Sequence, residues 1–211
     1  SQKFGSLVWS GDIESTFESL ACQVKAGLNM SMCGIPWWNT DIGGFYGADI
    51  TSDYFKELIV RWFQFGLFSP VMRLHGSRNR HFEPTPGLKE PSGDPNEIWS
   101  FGEKNFEILK NLIFIREKLR PYIQTQMDIA SEKGYPVMRP MFFEYPDDEN
   151  CYKLDSQYMF GNDIIFAPIV EQDQTAKSVY IPDGEWILTK DKKIYTKGTY
   201  EITAEIDEFI A

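Results

Sequence analysis

Cysteine and histidine are scarce in this chain, and basic residues are outnumbered by acidic ones. Three cysteines, Cys22, Cys33 and Cys151, cannot make a complete disulfide framework, and no Cys-x-x-Cys pair occurs. At most one bridge can close, so the redox compartment stays open. The two histidines, His75 and His81, do not stand at a metal-ligand spacing and no carboxylate helix partners them, which discounts zinc. A formal charge of -10 argues against nucleic acid or an anionic membrane as partner. No apolar run is long enough to span a bilayer, and the opening segment is not a signal peptide. The chain starts at Ser1 and enters a strand-like run at once, so it reads as a piece of something longer, from which a targeting signal would be missing. No P-loop, no Gly-x-Gly-x-x-Gly and no Gly-x-Ser-x-Gly elbow occurs, and there is neither low complexity nor a solenoid repeat. Nothing in the sequence implies a cofactor or a metal.

Apolar residues make up 42% of the 211, enough to bury a sizeable core in one large or two modest domains. Phe4 to Trp9 is a short apolar run ending at Ser10-Gly11-Asp12. The spacing predicts a helix from Glu14, with Phe17, Leu20, Ala21 and Val24 on one face and Gly27 as its stop. A second strand is predicted from Met30 to Trp38, and a second helix from Asp53 to about Phe65, capped by Ser52, with Phe55, Leu58, Ile59 and Trp62 in one stripe. Phe68 to Leu74 reads as a third strand. Strands alternating with amphipathic helices imply βα units and a parallel sheet, in which function sits at the C-terminal strand ends. Those ends carry Asp12, Asp41 and His75.

Residues 81–99 read as a long loop. A helix follows from about Glu103 to Lys133, with Pro121 expected to break or restart it. Beyond Gly134 the style changes to short strands, at Val137–Phe143, Tyr158–Phe160, Ile164–Pro168, Ser178–Ile181, Glu185–Leu188 and Gly198–Ile202. Their spacing suggests an antiparallel sandwich.

Each motif has a structural reading beside the chemical one. Ser10 and Asp12 suit a helix N-cap. They also suit a carboxyl dried by neighbouring Trp9, whose desolvation would raise its pKa as a general acid requires. Asp41 in Trp37-Trp38-Asn39-Thr40-Asp41-Ile42-Gly43-Gly44-Phe45 is a turn residue, or a hydroxyl-binding carboxylate among aromatics. His75 suits a satisfied structural position as well as a site. Ser10, His75 and Asp41 could be grouped as a triad, but the missing elbow speaks against a serine hydrolase.

Taken in order, Trp9-Ser10-Gly11-Asp12, Asp41-Ile42-Gly43-Gly44-Phe45 and Arg73-Leu74-His75 resemble the pattern of glycoside hydrolase family 31. Tyr158-Met159-Phe160-Gly161 and Ile165-Phe166-Ala167-Pro168 look like the segment that follows that family's barrel. The resemblance implies an α/β plus all-β chain: residues 1–133 as the last three βα units of a (β/α)8 barrel, and 134–211 as a β-sandwich domain. It implies Asp12 as general acid/base of a retaining α-glycosidase. Trp9, Asp41, Phe45 and His75 would line the sugar subsite, with Asp41 and His75 on hydroxyls and Trp9 and Phe45 on the ring. The family's nucleophile lies on an earlier strand, upstream of these residues, and the family pattern does not give Asp41 that role. Pro36-Trp37-Trp38 and His75-Gly76-Ser77 look more like α-xylosidases than α-glucosidases, a bulky Trp near C6 excluding the hydroxymethyl group. The α-glucosidase reading stays open, as does a non-catalytic carbohydrate-binding or assembly fragment. The chain alone is expected to be inactive and to self-associate, with the apolar faces of Phe17, Leu20, Phe55 and Trp62 left without neighbours.

Overall fold

A computed structural model describes residues 6–78 and 93–211. Part of the first predicted strand, His81 and most of the predicted long loop lie outside the described residues. Strand β1 (Val8–Trp9) pairs in parallel with β2 (Trp38–Asn39), and the next strand position is reduced to a single parallel bridge between Ile42 and Leu74. Helices α1 (Phe17–Met32) and α2 (Asp53–Leu67) connect them. The βα alternation therefore holds, while the strands are shorter than the hydrophobic runs suggest.

Gly27 does not end α1. It lies in its interior, because the helix must press close to Trp38: a Cβ at Gly27 would sit 2.8 Å from Trp38 Cζ3. The glycine is read by packing, not by capping, and Met30 to Met32 are helical where a strand is predicted. Thr16 caps α1 by accepting from Ser19 N at 3.0 Å, so neither Ser10 nor Asp12 is the N-cap. Ser52 does cap α2, accepting from Phe55 N at 3.2 Å. Phe68, expected to open a strand, is the C-cap of α2 instead.

Helix α3 (Glu103–Lys133) runs through Pro121 without a break. Pro121 and Glu117 are both exposed, so the carbonyl that the proline cannot serve is left to water. Gly134 ends the helix in the left-handed conformation at φ 74°.

After Gly134 come β3 (Met138–Pro140), a helical turn α4 (Met141–Glu144), β4 (Tyr158–Phe160), β5 (Ile164–Phe166), β6 (Ala176–Ile181), β7 (Trp186–Ile187), β8 (Ile194–Tyr195) and β9 (Gly198–Thr203). The predicted strand 137–143 thus stops at Pro140, and β8 is a strand the spacing misses. Antiparallel sheets β3-β4-β5, β6-β9 and β7-β8 form the second part. Sheet β3-β4-β5 is buried on both faces. Met138, Tyr158, Phe160 and Phe166 join the core of α1, α2 and α3; Met159 and Ile165, pointing the other way, join the core under β6 and β9. Phe17, Leu20, Phe55 and Trp62, expected to lack neighbours, are buried in the first core. Arg61 of α2 crosses the junction, donating to the carbonyls of Gln174, Ala204, Glu205 and Glu208 over 3.1–3.3 Å.

Candidate active site

The loops that leave the three strand positions are zipped side by side. Phe45 N donates to Ile13 O at 2.7 Å, and Ser77 N to Phe45 O at 2.6 Å. The approach requires Gly44, whose φ is +75°; a Cβ there would lie 2.6 Å from Ser15 Cα. Arg78 fastens the same turn from beneath. Its guanidinium donates to the carbonyls of Ile42 (3.1 Å), Gly43 (3.3 Å) and Gly44 (2.7 Å) and to Asn96 Oδ1 (2.8 Å). Burial pushes its pKa down to about 10. No periodicity or motif in the sequence points to Arg78.

This arrangement places Trp9, Asp12 and His75 around one cavity of about 250 Å³, together with Leu7, Asn39 and Arg73. Phe45 stands behind His75, their ring centroids 5.6 Å apart. Asp12 and His75 are exposed and Trp9 is 51% exposed. The dry surroundings expected for Asp12 are therefore not supplied by these residues; they fall on Asp41. Asp41 is fully buried and paired with Arg73. Burial raises the pKa of its carboxyl, against the opposing pull of Arg73 and His75; the charge of Asp12 raises it further. Asp41 does not line the cavity; Arg73, to which it is paired, does. Asp41 also serves the turn, its carbonyl accepting from Gly44 N at 2.9 Å.

Sequence reasoning gave no role to Arg73 or Asn39. Arg73 lies inside the Arg-x-His motif; Asn39 is a polar residue at the end of an apolar strand, a signal in itself. Ser10 Oγ lies within 3.4 Å of Gly11 O and Thr40 Oγ1, and does not line the cavity with His75, so no triad forms. Cys22, Cys33 and Cys151 are free. Among the described residues no cluster of metal-ligating side chains occurs, and no helix is long and apolar enough to cross a membrane.

The profile of the glycosyl hydrolases family 31 TIM-barrel domain matches residues 1–126, and that of the family's C-terminal domain matches residues 134–210. The chain belongs to glycosyl hydrolase family 31. Its fold is a portion of that family's barrel followed by the antiparallel C-terminal domain. Within the family it is 36% identical over 185 residues to an α-xylosidase of Saccharolobus solfataricus, covering 88% of this chain and 23% of that protein. It is 35% identical over 204 residues to α-glucosidase 2 of Bacillus thermoamyloliquefaciens, covering 96% and 24%. A family 31 α-xylosidase from a soil metagenome, solved in complex with xylose, superposes with a TM-score of 0.94 at 45% identity, over 99% of this chain and 32% of the other. The chain thus spans about a quarter of the length of these curated relatives.

Proposed function

We propose that this chain is part of a retaining α-glycoside hydrolase that releases a terminal α-linked xylose, with Asp12 as general acid/base. The observation that carries the reading is the cavity at the three strand ends, where a carboxyl, an imidazole and an indole converge. Asp12 is the one carboxylate among the lining residues. It would protonate the departing glycosidic oxygen and later take a proton from the attacking water. Trp9 and Phe45 supply apolar ring faces and His75 a donor for a hydroxyl. Retention needs a second carboxylate roughly 5–5.5 Å from the first. Asp41, buried behind Arg73, is poorly placed for that work, so the nucleophile is assigned to residues outside these 211. Residues 1–133 would form the last three βα units and 134–211 the sandwich.

Xylose is favoured over glucose by the 45% identity with the metagenomic α-xylosidase. Trp38 is buried under Gly27 of α1 and Trp37 packs against the same core, so neither lines the cavity among the described residues; the indole that does is Trp9. Initial rates on aryl α-xyloside and aryl α-glucoside, measured on the enzyme that carries this chain, test the reading. Faster glucoside turnover would overturn the xylose assignment. Sugar binding with no hydrolysis of either would favour a carbohydrate-binding role.

A further inference from the structure

The polar groups behind the cavity are only partly used. Asp41 Oδ1 accepts from Arg73 Nη2, but Asp41 Oδ2, Arg73 Nε and both amide atoms of Asn39 have no partner among the described residues. The pair is oriented: the Asp41 side chain has no exposed surface, whereas that of Arg73 is 37% exposed and lines the cavity. A guanidinium holds its donors in a rigid planar fork. With Nη2 anchored on a buried carboxylate and Nε buried as well, the donors left to face the cavity, on Nη1 and the free side of Nη2, keep a set direction. Two neighbouring hydroxyl oxygens on a pyranose ring match such a fork as a carboxylate would, both being acceptors a short distance apart.

We propose that Arg73 contacts the substrate, donating to adjacent ring hydroxyls, and that Asp41 is its positioning residue and not a sugar contact. This rests on the glycoside reading of the cavity. Asp41 then contributes to sugar binding only as long as Arg73 is present, a coupling that a merely structural carboxylate would not show.

Two measurements on the protein that carries this chain test it. The first needs no turnover. Phenylglyoxal labels accessible guanidinium groups, and peptide mass spectrometry locates the label. Saturating xylose or glucose should slow labelling of Arg73 severalfold, with Arg120, whose side chain is 72% exposed on α3, labelled at an unchanged rate as control. Equal labelling of Arg73 with and without both sugars would overturn the contact. The second is a double-mutant cycle on an aryl α-glycoside. Arg73→Ala and Asp41→Asn should each lower kcat/KM by roughly tenfold to a hundredfold, the range for a hydrogen bond to a charged group. In the Arg73→Ala background, Asp41→Asn should cost less than about twofold further. Multiplying losses would show that Asp41 acts on its own and would sink the positioning role. A protein without glycosidase activity would defeat the proposed function, and the labelling result would still decide whether Arg73 meets a sugar.

Discussion

At the scale of single residues the cavity separates two aspartates that look alike in the sequence. Both follow a short strand, and each stands three residues after a tryptophan and within two of a glycine. One is exposed in the cavity wall; the other is sealed behind an arginine. Asp12→Asn in the enzyme carrying this chain should keep the fold and lose hydrolysis of substrates with poor leaving groups. An activated aryl glycoside should lose less in the glycosylation step, because its leaving group needs little protonation. Equal losses on both substrates would remove Asp12 from the acid role. His75, exposed and set against Phe45, touches little that a fold depends on. His75→Ala should lower kcat and kcat/KM together while the melting temperature moves by no more than a few degrees. A large fall in melting temperature with intact kinetics would return His75 to a structural role.

At the scale of elements, the loop after β2 is the most constrained. Gly44 combines a left-handed backbone with backbone contact to Ser15, and Arg78 holds its carbonyls. Gly44→Ala should therefore destabilise by about 2–4 kcal/mol, more than the strain of a left-handed residue alone, because the neighbour met is main chain and cannot swing aside. Urea denaturation measures it, and a loss below about 1 kcal/mol would show that the loop can open cheaply. Helix α3 offers the opposite case. Pro121 is exposed in a continuous helix, where proline costs up to about 3 kcal/mol relative to alanine. Pro121→Ala should raise thermal stability without altering any site residue. An unchanged or lower melting temperature would mean that the unfolded-state stiffening by proline outweighs the lost helix hydrogen bond.

At the scale of the molecule, one buried arginine links the two cores. Arg61 has its pKa lowered by burial and spends its donors on carbonyls of the C-terminal part, beside Gln64, whose amide reaches Ile206 O at 2.8 Å. Arg61→Ala would leave the buried carbonyl of Ala204 and the part-buried carbonyls of Gln174, Glu205 and Glu208 unserved, a fully buried acceptor costing about 1–3 kcal/mol and the others less. The expected loss is about 3 kcal/mol or more, with separate melting of the two parts visible by calorimetry; a single unshifted transition would show that the clamp is redundant. Leu7, Trp9, Trp99 and Phe114 are exposed, and an apolar groove of about 550 Å³ runs past Phe63, Met72, Leu74 and Ile113. At about 25 cal/mol per Å², leaving a few hundred Å² of such surface in water is comparable with a domain's whole stability. The 211-residue polypeptide is accordingly expected to self-associate in analytical ultracentrifugation, and a well-behaved monomer would overturn that expectation.

The order of motifs, the βα alternation, the Ser52 cap and the change of style after Gly134 were legible in the sequence, because each depends on residues near one another in the chain. Boundaries that depend on distant partners were not. Gly27 looks like a helix stop until Trp38 is seen against it, and Pro121 looks like a break until both it and Glu117 prove to face water. The same division runs through the site. Motif chemistry alone left Asp12, Asp41 and His75 each with a structural reading, and the family resemblance grouped them with Trp9 and Phe45. Which carboxylate faces the cavity depends on where Arg73, 32 residues along the chain from Asp41, lays its guanidinium. Burial and ion pairing are properties of assembled surfaces, and only the tertiary structure decided them.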